Sequence, residues 1–247
     1  MQTDKNPDSF IYKEIDKQSP FKIVFLSGLG LGIREQREGF FRRFALTHNV
    51  SYLALDYTKF IMQYPEHQEA RIKESFSKTL NILNKSQQEK LILVGACFGG
   101  LMALKAAEKI PEKIEGIIAF SPPYETSTYP MLDNTELFLQ KRIDLLKRRR
   151  ADIQMVNKII TFQQVVTTAF RIHARVPIQP TYQGHLSIFH GKNDNLIASE
   201  NSHHVRKALK NTNCHVHIIP NTGHSLNTDF EMKRPIRILK AYLENNR

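Results

Sequence analysis

The chain has 247 residues, of which 41% are hydrophobic and 24% charged, and its formal net charge is +11. That length fits one large domain, or one domain carrying an insertion, and the composition excludes a disordered chain, a collagen-like repeat and a coiled coil. The positive charge favours solubility and attraction to anions without choosing among nucleic acid, acidic lipid and phosphorylated small molecules. No stretch reaches the roughly 18 apolar residues of a membrane span, and Met1-Gln2-Thr3-Asp4-Lys5 lacks the apolar core of a secretory signal, so a cytoplasmic address is expected. Two cysteines do not make a disulfide framework, and each has to be explained singly.

Residues 1–20 read as an N-terminal extension. Phe21-Lys22-Ile23-Val24-Phe25-Leu26 is a short buried-strand run that ends in the glycine-rich Ser27-Gly28-Leu29-Gly30-Leu31-Gly32. A helix is predicted from about Arg34 to His48, a strand over Val50–Leu55, and a helix from Glu69 to Leu83 on the spacing of Ile72, Phe76, Leu80 and Leu83. Leu91–Val94 is a third strand. Helix formers from Leu101 to Ile110 and an apolar run from Ile114 to Phe120 follow, closed by Ser121-Pro122-Pro123.

Strand character returns at Leu186–His190, before a helix near Ser199–Leu209, a strand at His215–Ile219 and a final helix to about Leu243. Regular alternation of this kind predicts an α/β fold, with a mostly parallel central sheet and helices on both faces. Residues 21–123 and 185–247 are expected to form that core. The intervening residues 124–184 show helical patterns without a strand run and read as an inserted helical lid. Its basic run Lys147-Arg148-Arg149-Arg150 is either a solvated helix face or an anion-binding element bordering the substrate crevice.

The chemistry concentrates where the strand Leu91–Val94 runs into Gly95-Ala96-Cys97-Phe98-Gly99-Gly100 and then a helix. This resembles the nucleophile elbow of the α/β-hydrolase superfamily, with cysteine where serine is usual. Gly95 and Gly99, two before and two after Cys97, would let strand and helix approach closely around a tight turn. The resemblance extends from Phe21 onward, because the other triad positions arrive in the order nucleophile, acid, histidine. Asp194, in Phe189-His190-Gly191-Lys192-Asn193-Asp194, looks like the acid. His224, in Ile219-Pro220-Asn221-Thr222-Gly223-His224, looks like the histidine. The resemblance also implies an oxyanion hole from the backbone amides of Phe98 and Leu29, although Ser27-Gly28 departs from the histidine-glycine pair common there.

A helix N-terminus and a histidine partner both favour thiolate over thiol at Cys97. Cys214, with no motif around it, reads as a small buried hydrophobe. His203, His204, His215 and His217 have no Cys or Glu partner at ligand spacing and read as solvated; neither metal nor cofactor is expected.

A cysteine nucleophile also narrows the reaction. Attack on a plain alkyl ester tends to reverse, since thiolate leaves more readily than alkoxide. Thioesters, activated esters and lactones acylate it productively. Cysteine-elbow relatives of this kind include dienelactone hydrolases and polyhydroxyalkanoate synthases, the latter much longer than this chain. The expected function is hydrolysis of thioesters or activated esters and lactones through a Cys97-His224-Asp194 triad. The expected partner is a small acyl substrate, anionic or linked to coenzyme A. Acyl transfer from a carrier thioester is the alternative, and a catalytically inactive binding module is the alternative of another class. Nucleic-acid binding would rest on charge alone, with no recognition motif.

Overall fold

Strands with apolar residues on both faces need cover on each, and the computed structural model supplies it. It describes residues 11–29, 36–62, 67–87, 90–124, 131–148, 152–173 and 182–244. The sheet has seven strands: β1 (Ile11–Ile15), β2 (Phe21–Leu26), β3 (Ser51–Leu55), β4 (Lys90–Ala96), β5 (Ile114–Phe120), β6 (His185–Gly191) and β7 (Cys214–Ile219). Their order is β1-β3-β2-β4-β5-β6-β7. All pairings are parallel except β1 with β3, which is antiparallel.

The side chains of β2, β3 and β4 sort by alternation, as a pleated strand requires. Val24, Leu26, Leu53, Leu55, Leu91 and Leu93 belong to one apolar cluster, which also takes in residues of the helices α2 (Thr58–Met62), α3 (Gln68–Asn84), α4 (Phe98–Lys109) and α7 (Glu200–Leu209). Ile23, Phe25, Tyr52, Ala54, Ile92 and Val94 belong to a second cluster with α1 (Gln36–Thr47) and α8 (Asp229–Glu244). Each buried leucine, isoleucine or phenylalanine in these layers is worth about 1.5–3 kcal/mol of transfer free energy, which is what holds the helices to the sheet.

Two elements lie outside the sequence expectation. β1 falls within the segment read as an extension, and its role follows from one polar residue in an otherwise apolar strand. Lys22 is 5% exposed, and its ammonium is paired with Glu14 of β1 at 2.9 Å and with Asp16 at 3.1 Å. The edge strand thus neutralises a charge that β2 buries. The second element is α2, a single short helix whose Thr58 amide donates to the Asp56 carboxylate at 2.9 Å, a local cap on the first turn.

Between β5 and β6 the described residues hold two helices, α5 (Met131–Arg148) and α6 (Ile153–His173), and no strand. α6 packs against α5 and α3, burying Val165, Val166, Ala169 and Phe170. No helix among the described residues is long and apolar enough to cross a membrane.

Candidate active site

Parallel strands bring their carboxyl ends to one edge of the sheet, and the loops leaving β2, β4, β6 and β7 gather there. At the end of β4 the chain turns into α4 through Cys97, which has φ 50° and ψ −116°. Such a conformation costs a non-glycine residue on the order of 1–3 kcal/mol, and it persists because its surroundings hold it. The Cys97 amide donates to the Phe120 carbonyl at 2.7 Å, and the Leu101 amide donates to the Cys97 carbonyl at 3.2 Å.

The two flanking glycines answer a packing demand. A Cβ on Gly95 would lie 2.3 Å from the Gly99 carbonyl oxygen, and one on Gly99 would lie 2.1 Å from the Leu26 carbonyl oxygen. Only glycine permits the strand, the turn and the helix to meet that closely.

The acid loop leaves β6. Asp194 is buried, and its carboxylate is saturated with donors: Oδ1 accepts the amides of Leu196 and Ile197, each at 2.9 Å, and Oδ2 accepts His224 Nδ1 at 2.7 Å. The histidine loop leaves β7 and is welded to the acid loop through backbone. The Asn193 amide donates to the Thr222 carbonyl at 2.8 Å, and the Lys192 amide donates to Ile219 at 2.8 Å. Gly191 sits so close to the other loop that a Cβ would be 2.2 Å from the Gly223 carbonyl oxygen.

With Nδ1 of His224 engaged by Asp194, the other ring nitrogen is left for the Cys97 thiol, to which His224 is hydrogen-bonded. Burial disfavours a charged ring at His224. The negative charge of Cys97 and the hydrogen bonds to Asp194 and Cys97 outweigh it and raise the pKa to about 10. Burial likewise pushes Asp194 up, but the hydrogen bonds from His190 and His224, with the His224 charge, hold its carboxyl well below the usual carboxylate range. The arrangement is that of a cysteine, imidazole and carboxylate in series.

The sign of the His224 shift has a consequence for stability. A folded-state pKa raised from 6.5 to about 10 contributes stability that is fully present below pH 6.5 and is lost as pH rises through about 10. Thermal melts between pH 6 and 10.5 should therefore show an alkaline decline in Tm that is shallower in His224→Gln. Identical slopes in the two proteins would contradict the assignment.

The loop after β2 carries Leu29, which is buried in the same apolar cluster as Cys97, Phe98 and Tyr57. Residues after β3 pin this loop. The Tyr57 hydroxyl donates to the Ser27 carbonyl, the Thr58 hydroxyl donates to the Gly28 carbonyl at 3.3 Å, and the Tyr57 ring meets Phe98 edge-on at 5.6 Å. Sequence reading missed Tyr57 and Thr58, because their function is visible only once β2 and β3 are known to be neighbours.

His190 was missed as well. It is fully buried in β6, and its Nε2 lies 3.1 Å from Asp194 Oδ2. The available signal was its place four residues before Asp194. Lys147 and Arg148 are exposed at the end of α5; Arg149 and Arg150 lie outside the described residues. Cys214 is buried at the start of β7, and burial pushes its thiol up to about 11, which keeps it protonated and inert. Among the described residues no group of three or more His, Cys, Asp and Glu could hold a metal ion.

The sheet order, the crossovers and the elbow define an α/β-hydrolase fold. Solved structures share it: mouse alpha/beta hydrolase domain-containing protein 10 aligns over 95% of this chain and 94% of its own at a TM-score of 0.66 and 15% identity. The monoacylglycerol lipase of Paleococcus ferrophilus covers 94% of this chain and 99% of its own, at a TM-score of 0.61 and 18% identity. The esterase of Exiguobacterium antarcticum covers 95% of each, at a TM-score of 0.62 and 17% identity. At such identities the likeness speaks for the fold alone. Residues 54–236 match the model of the dienelactone hydrolase family, and the chain belongs to that family of hydrolases. No curated protein matches the sequence.

Proposed function

We propose that the protein hydrolyses thioesters or activated esters and lactones, with Cys97 as nucleophile, His224 as proton carrier and Asp194 as its orienter. The observation that carries this reading is the positive-φ cysteine at the start of α4, hydrogen-bonded to a histidine whose Nδ1 lies 2.7 Å from a buried carboxylate.

The raised pKa of His224 keeps its ring an imidazolium at neutral pH, poised to hand a proton to the leaving group. The thiolate sulfur bonds to the acyl carbon, and the carbonyl electron pair moves to oxygen, where the amides of Phe98 and Leu29 stabilise it. The intermediate collapses with release of the leaving group, which takes the proton of His224. Neutral His224 then removes a proton from water. The hydroxide displaces Cys97 from the thioester, giving the carboxylic acid and restoring the pair.

Thiolate is a better leaving group than alkoxide, so the first step discriminates against plain alkyl esters. A net charge of +11, with Lys141, Arg142, Lys147 and Arg148 exposed on α5, supports an anionic acyl donor such as a coenzyme A thioester. In this reading α5 and α6 form a lid over the crevice.

The test is intact-protein mass after brief mixing with acyl-coenzyme A thioesters, a p-nitrophenyl ester, an enol lactone and a plain ethyl ester, with product release followed in parallel. The first three classes should acylate wild type and the ethyl ester should not. Equal or better turnover of the ethyl ester would sink the cysteine-based substrate reading, and neither adduct nor product with any donor would sink hydrolysis.

A further inference from the structure

Asp194 has a second histidine on the same oxygen that His224 uses. His190 Nε2 lies 3.1 Å from Asp194 Oδ2 and 2.8 Å from the Ile197 carbonyl oxygen. Both are acceptors, so that nitrogen carries a proton. On the other side of the ring, Nδ1 lies 2.6 Å from the Ser202 hydroxyl of α7. With the proton on Nε2, the neutral ring has a lone pair at Nδ1, and Ser202 donates to it. The ring is 0% exposed, so no water competes for these partners.

We infer that His190 is a positioning residue for the Cys97-His224-Asp194 triad: its Nε2–H, held in that tautomer by Ser202, pins Asp194 Oδ2 where His224 Nδ1 meets it. The inference rests on the functional reading above. Without His190, Oδ1 would still be fixed by the Leu196 and Ile197 amides, but Oδ2 would answer to His224 alone. The carboxylate could then tilt about its anchored Oδ1 and carry the imidazole with it. Misplacements of that kind are costly, because reactivity falls steeply with small errors in orientation. The hydrogen bond from His190 also stands first among the influences that keep Asp194 ionised despite burial.

The experiment needs no natural substrate. Iodoacetamide alkylates thiolates, and the buried, protonated Cys214 leaves Cys97 as the reactive site. Second-order labelling rates are measured by intact mass at pH 6.5 on the full chain, with folding checked by melting. His190→Leu should label roughly ten-fold more slowly, a loss in the range expected from disordered orientation. His190→Gln, whose side-chain amide offers an N–H at similar reach, should recover to within about two-fold of wild type.

In an Asp194→Ala background His190→Leu should cause no further loss, since a residue that acts only through Asp194 has nothing left to position. Multiplying losses, or a wild-type rate in His190→Leu, would overturn the inference. If His190→Leu does not fold, Ser202→Ala decides: it should slow labelling when Asp194 is present and leave the rate unchanged in Asp194→Ala. Any other pattern overturns the proposal. The triad itself is read separately from His224→Ala and Cys97→Ala. Unchanged labelling in either removes the triad and the role of His190 with it, whereas unchanged labelling in His190→Leu alone removes only the latter.

Discussion

Cys97→Ala should lower kcat toward a p-nitrophenyl ester by about 10⁴-fold or more, since nucleophile deletions in triad enzymes leave only binding and oxyanion stabilisation. The fold should survive the change. The side chain is small, 8% exposed, and its backbone conformation is held by the Phe120 and Leu101 hydrogen bonds and by the flanking glycines, none of which involves the sulfur. Melting within a few degrees of wild type, together with the kinetic loss, is the expected pair of observations. A variant that keeps a tenth of the activity would show that the turnover arises elsewhere. Cys97→Ser sharpens the experiment. The elevated His224 pKa owes its largest favourable contribution to the negative charge of Cys97, and a neutral hydroxyl removes it. The serine variant should therefore lose the alkaline extension of the His224 titration along with most of its rate.

Gly99→Ala is the second large effect, and it falls on folding. The added Cβ would stand 2.1 Å from the Leu26 carbonyl oxygen and 2.6 Å from the Leu26 carbonyl carbon and the Ser27 oxygen. All three are backbone atoms, two at the end of a buried central strand, so no side chain can rotate away. A loss of at least about 4 kcal/mol is expected, the range reserved for serious steric conflict, and on a chain of this size that lowers Tm by at least about 8 °C. Gly39→Ala in α1 is the matched control: nothing lies within 4 Å of its added Cβ, and alanine's helix propensity should make the change neutral or stabilising by up to about 1 kcal/mol. Similar Tm losses in the two variants would mean that the close approach at the elbow does not govern stability.

What the sequence made legible were the features with a strong local signature. Five of the seven strands are largely apolar runs and β7 alternates polar with apolar residues, and the chemistry-bearing residues sit just past the carboxyl ends of three of these six. β1 had no such signature. Ile11-Tyr12-Lys13-Glu14-Ile15 carries two charges because it is an edge strand, and its Glu14 meets the buried ammonium of Lys22 eight residues on, a pairing that hydrophobic periodicity does not reveal. α2 is too short to show a helical period. His190 was absorbed into the apolar run Leu186–His190, since a buried histidine and a buried aliphatic look alike until its partners, Asp194 four residues on and Ser202 on the next helix, are placed. At the Ser27-Gly28 departure, Tyr57 and Thr58 hold the loop by its carbonyl oxygens, and the buried Ser27 hydroxyl adds a hydrogen bond to Asp56 at 3.5 Å.

The backbone weld between the acid and histidine loops also bears on the order in which the site assembles. Asp194 and His224 are 30 residues apart, and everything that joins them, β6, α7, β7 and the contact of Gly191 with Gly223, lies in one β-α-β unit. Cys97 and His224 are separated by about half the chain, with α5 and α6 between them. Closing the longer loop costs more chain entropy, and contacts local in sequence form first. The expected order is therefore that Asp194 and His224 come together before Cys97 joins them, which pulsed hydrogen exchange on the amides of Asn193 and Cys97 would read. On the function proposed above, the step that brings β6 alongside β5 completes the sheet and sets the imidazole beside the thiol together.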